Sequence, residues 1–115
     1  MRLTKRKAIE LSIELWTWCA ETGRDKKKWP GWKKYPSNYW DCFLCEYDSN
    51  HDGGCQSCPY MQRYKGCFNG DTPYKNWDKA NDYNSTAKRK KYAAEFLAQL
   101  KTLLIAVEPI PAVKE

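Results

Sequence analysis

Two CxxC pairs carry the most specific chemistry in this sequence: Cys42-Phe43-Leu44-Cys45 and Cys55-Gln56-Ser57-Cys58. Each pair lets one tight turn present two sulfur atoms to the same ion, and four thiolates match the tetrahedral coordination of a structural Zn²⁺. The turn-forming stretch Asn50–Gly54 allows the chain to fold back between the pairs. The predicted zinc ligands are Cys42, Cys45, Cys55 and Cys58.

The chain has two further cysteines and one histidine. Cys67 follows a glycine and is the reserve ligand if Cys55 or Cys58 lies out of reach. Cys19 lies among apolar residues of a predicted helix and is expected to be a core thiol. His51 lies between the pairs, but five nearby cysteines make a histidine ligand unnecessary. In a secreted protein six cysteines would suggest three disulfides, whereas CxxC spacing without a recognisable secretion signal favours reduced, metal-bound thiols.

Length and charge limit the class of protein. A chain of 115 residues is expected to form one domain, 1–115, and its formal net charge is +6. Residues 1–40 carry ten basic and four acidic side chains, residues 41–84 carry four and seven, and residues 85–115 carry six and three. Such a surface lacks the dense negative charge of a DNA mimic. No apolar run reaches the roughly 18 residues of a membrane span, and we expect a cytoplasmic protein.

Two long helices are predicted from periodicity and end signals. The first spans 5–22, with Thr4 as N-cap and Gly23 after its end, and its wide apolar face indicates burial on two sides. The second spans 86–107 and carries a single apolar stripe. The residues of that stripe are Ala93, Phe96, Leu97, Leu100, Leu103, Leu104 and Val107.

The segment 29–70 between these helices is rich in aromatic and turn-forming residues and is predicted to be an ordered, packed loop that holds the zinc. A short helix is expected to start near Asp71, as its N-cap, and to carry Tyr74, Trp77 and Ala80. The predicted fold is therefore mainly α, with two long helices packed around a zinc-pinned insertion that is irregular or contains a small β-hairpin.

Two basic runs lie next to aromatic residues, at 24–28 before Trp29 and Trp32 and at 88–91 before Tyr92. In some proteins the basic side chains of such runs bind phosphates and the neighbouring aromatic rings stack on bases. In others the basic side chains are solvated at a helix end or loop, and the aromatic rings face inward. Basic and aromatic side chains are also favoured in protein interfaces. The predicted partner-binding residues are Lys26, Lys27, Lys28, Trp29 and Trp32, with Tyr35, Tyr39 and Trp40 as further aromatic candidates.

Catalysis is not expected. An all-cysteine zinc site has no open position for water, and general-base chemistry at a metal needs more than the single histidine present here. The sequence contains no nucleotide-binding glycine-rich loop and no GxSxG motif.

Several motifs together resemble a family of short proteins encoded by phages and prophages of Gram-positive and gut bacteria. The resemblance covers most of residues 8–100. The segments that carry it are Leu11–Trp18, Trp29–Trp32, Cys42–Tyr47, Cys55–Pro59, Gly66-Cys67 and Pro73–Trp77.

Small zinc-containing phage proteins of this kind include anti-CRISPR inhibitors of the type II effector Cas9. The resemblance implies stoichiometric inhibition of Cas9 in the bacterial cytoplasm, by blocking DNA loading or a conformational step, with zinc in a structural role. A basic protein cannot imitate DNA in the positively charged channels of Cas9, so we expect docking on an outer patch or on bound nucleic acid. The alternative is a zinc-stabilised phage protein that binds nucleic acid.

Overall fold

Two long helices frame the fold in the computed structural model, which describes residues 3–35, 42–51, 53–67 and 71–106. Helix α1 spans Lys5–Thr22. The Thr4 hydroxyl accepts a hydrogen bond from the Lys7 backbone N–H at 3.0 Å, and Gly23 ends the helix in the left-handed region at φ 68°. Both predicted ends are confirmed. Helix α5 spans Thr86–Ala106, as predicted, and Val107 lies outside the described residues.

The core lies where α1 and α5 pack together. Helix α1 is buried along a wide face that includes Ile9, Leu15 and Trp16, and α5 contributes Phe96 and Leu100. The indole of Trp16 packs edge-to-face on Phe96, with ring centroids 4.8 Å apart. The expectation that α1 is buried on two sides is confirmed, because it also packs against the next helix, α2.

The insertion between the long helices contains two short helices, joined by turns, in the part that the structure describes. Helix α2 spans Phe43–Ser49 and helix α3 spans Pro59–Tyr64. No strand occurs in the described parts of the insertion, so the alternative of a small hairpin is wrong there, whereas the turns around α2 and α3 agree with an irregular segment. Each helix starts at a CxxC pair, and Pro59 occupies the first turn of α3, where a proline removes no needed hydrogen bond.

Helix α4 spans Pro73–Asp82 and packs against α5. Its N-cap is Thr72, whose hydroxyl accepts from the Lys75 backbone N–H at 3.3 Å, so the prediction of Asp71 as N-cap is wrong by one residue. The helix carries Tyr74, Trp77 and Ala80, as predicted; Trp77 and Ala80 are buried and Tyr74 is half-buried.

The aromatic segment before α2 packs inward around Phe43, which is fully buried. Two 3₁₀ turns, Lys26–Lys28 and Pro30–Lys33, shape this segment. The Trp32 ring stacks on Phe43 at 5.1 Å, and Trp29 and Tyr35 meet Phe43 edge-on. The prediction of a packed loop is confirmed for residues 29–35. Tyr39 and Trp40 lie outside the described residues.

None of the helices in the described ranges combines the length and the apolar character that crossing a membrane would require.

Candidate metal centre

Five cysteines from separate parts of the chain line one cavity of about 50 Å³ beside the core. Its other walls are mostly apolar and come from α2, α3, α5 and the segment after α3. The lining consists of Cys42, Leu44, Cys45, Cys55, Cys58, Tyr60, Met61, Gly66, Cys67 and Phe96. The structure therefore brings together all four predicted ligands and the reserve ligand.

Helix starts position three of these thiols. Cys42 is the N-cap of α2, and its sulfur accepts a hydrogen bond from the Cys45 backbone N–H at 3.2 Å. Cys58 is the N-cap of α3 and is buried. Helical geometry fixes Cys45 one turn after Cys42, so both sulfurs of the first pair face the same cavity.

The other two cysteines lie on turns. Cys55 is exposed and adopts a left-handed backbone conformation, with φ 71°. Cys67 is half-buried, and its carbonyl accepts a hydrogen bond from the Thr72 hydroxyl. Thr72 therefore joins the start of α4 to the reserve cysteine. Between Cys55 and Cys67, the latter is better enclosed by the fold.

The return of the chain between the CxxC pairs is organised by Asp48, a residue that the motif analysis did not single out. Its carboxylate is 5% exposed. The two carboxylate oxygens accept hydrogen bonds from the backbone N–H groups of Cys55 at 2.7 Å and Ser57 at 2.6 Å. An aspartate just before a turn is the sequence signal for such a contact. Gly53 and Gly54 supply the positive φ angles of the turn, as predicted.

The cysteine side chains are not yet in ligand geometry. No group of three or more histidine, cysteine or acidic side chains within the described ranges is close enough to hold an ion as it stands. All six cysteines are free thiols in the structure.

Burial keeps most of these thiols protonated in the absence of a cation. It raises the pKa of Cys58 to about 12 and that of Cys67 to about 11. The exception is Cys42, whose pKa is lowered to about 7. A hydrogen bond from Cys45 contributes most to this decrease, burial opposes it by raising the pKa, and the positive charge of Lys26 lowers the pKa further. The same hydrogen bond, together with burial, raises the pKa of Cys45.

Lys26, one of the predicted partner-binding residues, is buried and therefore not available to a partner. Its side chain is 9% exposed, and its ammonium donates a hydrogen bond to the Tyr74 hydroxyl at 3.1 Å. Burial alone would lower the pKa of Lys26, but Tyr74 and the nearby Cys42 outweigh burial and raise it. Lys26 therefore places a positive charge beside the cysteine cavity.

The remaining thiol and the histidine lie elsewhere. Cys19 is fully buried in α1, and burial raises its pKa to about 12, which agrees with a core thiol. His51 is exposed, does not line the cavity, and has its Nδ1 atom 2.7 Å from the Tyr47 carbonyl oxygen.

The predicted partner-binding residues differ in accessibility. Lys27 and Lys28 are exposed. Trp29 and Trp32 are half-buried against Phe43, and the Trp32 indole donates to the Lys26 carbonyl oxygen at 2.7 Å. Tyr83, which sequence reasoning did not single out, is 82% exposed.

Comparisons of the chain with protein-family models, with curated proteins and with solved structures gave no significant match.

Proposed function

We propose that the chain is a zinc-stabilised binding protein without catalytic activity. The observation that carries the proposal is the convergence of five cysteines, separated by up to 25 positions in the sequence, on one small cavity next to the core. Cys42, Cys45 and Cys58 are proposed as three ligands. The fourth is Cys55, from the second CxxC pair, or the better enclosed Cys67.

The chemistry of the donors fits Zn²⁺. Thiolates bind Zn²⁺ with Zn–S distances of about 2.3 Å and a tetrahedral arrangement. The apolar side chains around the cavity restrict water, which suits a closed structural site. A divalent cation would also favour deprotonation of thiols that burial otherwise keeps neutral. In this role the ion would connect α2, α3 and the segment that leads to α4.

The fourth ligand can be identified with two matched variants, Cys55→Ser and Cys67→Ser. The zinc content of each purified variant is measured, followed by the absorption of the cobalt-substituted protein, whose sulfur-to-metal bands weaken when a thiolate is lost. If Cys67 is the ligand, Cys67→Ser weakens these bands and Cys55→Ser leaves them unchanged; the reverse identifies Cys55. Unchanged metal binding in both variants would contradict the proposed ligand set.

A purely structural role for the metal is proposed because no histidine or carboxylate lines the cavity among the described residues. The one histidine is outside the cavity and close to the carbonyl of Tyr47. A site filled by four cysteine ligands has no position for an activated water. Binding, rather than turnover, is therefore the activity that we propose.

The proposed partner is Cas9 of a bacterial host, inhibited stoichiometrically in the cytoplasm. The resemblance to small phage proteins supports this partner, and the net charge of +6 favours an acidic patch of the effector or its bound nucleic acid. Lys27 and Lys28 are the accessible members of the predicted contact run. Because Lys26 is buried, reversing its charge would test folding and not the interface.

The test is a titration of purified Cas9, guide RNA and target DNA with this protein. Cleavage should stop near an equimolar ratio of inhibitor to effector. Complete inhibition at a small fraction of the effector concentration would mean turnover, and no inhibition at large excess would reject Cas9 as the partner. The double variant Lys27→Glu/Lys28→Glu should inhibit less well than Lys33→Glu/Lys34→Glu, a matched change at two other exposed lysines.

Nucleic-acid binding is the second proposed function, and one observation favours it. The basic runs at 24–28 and 88–91 are some 60 positions apart in the sequence but lie together in the fold, since Arg89 donates to the carbonyl of Gly23 at 2.6 Å. The two runs are therefore adjacent, and Arg24, Lys28 and Arg89 line one pocket between them. Binding of a short oligonucleotide should weaken steeply as salt rises; an affinity insensitive to salt would count against this function.

A further inference from the structure

A polar pocket lies where the end of α1 meets the turn between α4 and α5. Its volume is about 310 Å³, and its lining combines three basic side chains, one carboxylate and two amides, which gives a formal charge of +2. The lining residues are Arg24, Asp25, Lys28, Asn81, Asn84 and Arg89. The pocket is separate from the cysteine cavity and shares no residue with it.

Arg89 supplies a buried positive charge to this pocket, with a side chain only 7% exposed. Its guanidinium donates to four neutral oxygens: the Gly23 carbonyl at 2.6 Å, the Asn84 amide at 3.1 Å, the Thr86 hydroxyl at 3.3 Å and the Asn81 amide at 3.5 Å. No ion pair between Arg89 and a carboxylate is found in the described part of the chain. The nearest carboxylate in the pocket, that of Asp25, is connected to Arg89 only through the Asn81 amide, so an anion in the pocket would add a direct counter-charge to the buried guanidinium.

The single carboxylate of the pocket is held by other groups. The Asp25 side chain accepts hydrogen bonds from the Asn81 amide at 3.1 Å and from the Lys27 backbone N–H at 3.1 Å. Two exposed cations, Arg24 and Lys28, flank it. The positive charge of the pocket therefore exceeds what its own carboxylate can neutralise.

An exposed aromatic residue lies next to two of the pocket residues in the sequence. Tyr83 lies between Asn81 and Asn84, both of which line the pocket, and 82% of its surface is exposed. Asn84 has a left-handed conformation, φ 53°, and its side-chain oxygen accepts a hydrogen bond from the Arg89 guanidinium. Tyr83 itself lines a separate depression, together with Lys79 and Lys88. Basic side chains and an accessible aromatic ring are the groups by which proteins bind single-stranded nucleic acids, through phosphate contacts and base stacking.

We infer that this pocket binds a backbone phosphate of single-stranded nucleic acid, with Tyr83 stacking on a neighbouring base. The inference rests on the second proposed function and names its site. In this arrangement Arg89 and Lys28 face the phosphate, and Arg24 contributes a further positive charge from the rim of the pocket. The exposed lysines at 88 and 90 would extend the basic surface along the nucleic-acid strand. A single strand is specified because a base must be unpaired to stack on a tyrosine side chain.

The test measures binding of a short, fluorescent, mixed-sequence single-stranded oligonucleotide by anisotropy over a series of salt concentrations. Two double variants remove two exposed basic side chains each: Arg24→Ala/Lys28→Ala at the pocket and Lys33→Ala/Lys34→Ala as the matched control. The pocket variant should weaken binding at least tenfold and lower the slope of log K against log salt by about 0.7, the value for one lost phosphate contact on a single strand. The control should change affinity by less than about threefold.

Further measurements distinguish single-stranded nucleic acid from a duplex and from free phosphate as the ligand. Tyr83→Ala should weaken single-strand binding by about tenfold, and a duplex of the same sequence should bind less tightly than the strand. Equal losses of affinity in both double variants would contradict the assignment of the binding site to this pocket, but not nucleic-acid binding as such. If the unaltered chain binds no oligonucleotide, the second proposed function itself is rejected. If inorganic phosphate shifts the NMR signal of the Arg89 side chain but the oligonucleotide does not bind, the ligand is a free phosphate and the inference fails.

Discussion

Replacement of Asp48 by asparagine should destabilise the protein by about 2 kcal/mol, although the substitution alters only one functional group. Asp48 is buried, and its two carboxylate oxygens accept short hydrogen bonds from the backbone N–H groups of Cys55 and Ser57. Asparagine has one acceptor oxygen. The second N–H would then face an amide NH₂ group, so one backbone donor would lose its partner.

The magnitude follows from the nature of these bonds. Hydrogen bonds to charged groups contribute about 1.5–3 kcal/mol each. Because Cys55 is exposed and water can reach part of this turn, we take a value near the lower end for the one bond that is lost. For 115 residues, an unfolding entropy of roughly 2.1 cal/mol/K per residue converts 2 kcal/mol into a decrease in melting temperature of roughly 8 °C.

The assay is thermal unfolding under reducing conditions, with chelator and again with one equivalent of Zn²⁺. Asp82→Asn, at an exposed position, is the matched control and should change the free energy of unfolding by less than about 0.5 kcal/mol. Asp48→Asn should also bind zinc more weakly, because Asp48 holds the turn that carries Cys55. A variant as stable as the control in both conditions would refute the role assigned to Asp48.

Three other substitutions test the packing. Phe43→Ala should cost about 3–5 kcal/mol in chemical denaturation, since the ring is fully buried under three aromatic side chains; a loss below 1 kcal/mol would contradict this packing. Gly23→Ala should cost about 2 kcal/mol, because φ is 68° and the new Cβ would lie 2.8 Å from the Thr86 carbonyl oxygen; unchanged stability would refute the close approach of α1 and α5. Trp77→Phe should cost only about 1–2 kcal/mol, because the buried indole N–H has no hydrogen-bond partner among the described residues, and a larger loss would indicate a missed contact.

Local signals were sufficient to predict the long helices. Thr4 and Gly23 act at the ends of α1 through capping contacts within four residues, which a sequence shows directly. At α4, Asp71 and Thr72 are both good N-caps, and the proline at position 73 selects the residue immediately before it. Helices α2 and α3 were missed because each is only one or two turns long and the surrounding glycines and cysteines indicate turns.

The cysteine site was predictable from spacing, whereas its surroundings were not. CxxC pairs predict that their sulfurs approach one another, and the structure places all five on one cavity. The burial of Lys26 depends on Tyr74, which lies 48 residues away in the sequence. The contact between Gly23 and Arg89 likewise arises only when α1 packs against α5. Long-range contacts of this kind leave no periodic or spacing signal in the chain.

The central claim, a zinc ion held by the converging cysteines, is tested most directly by native mass spectrometry of the purified chain together with elemental analysis. One zinc per chain is expected, with all six thiols reduced after the metal is removed, and the double variant Cys42→Ser/Cys58→Ser should contain no zinc while Cys19→Ser retains it. A metal-free protein with disulfides among these cysteines, or full zinc content in the double variant, would contradict the account.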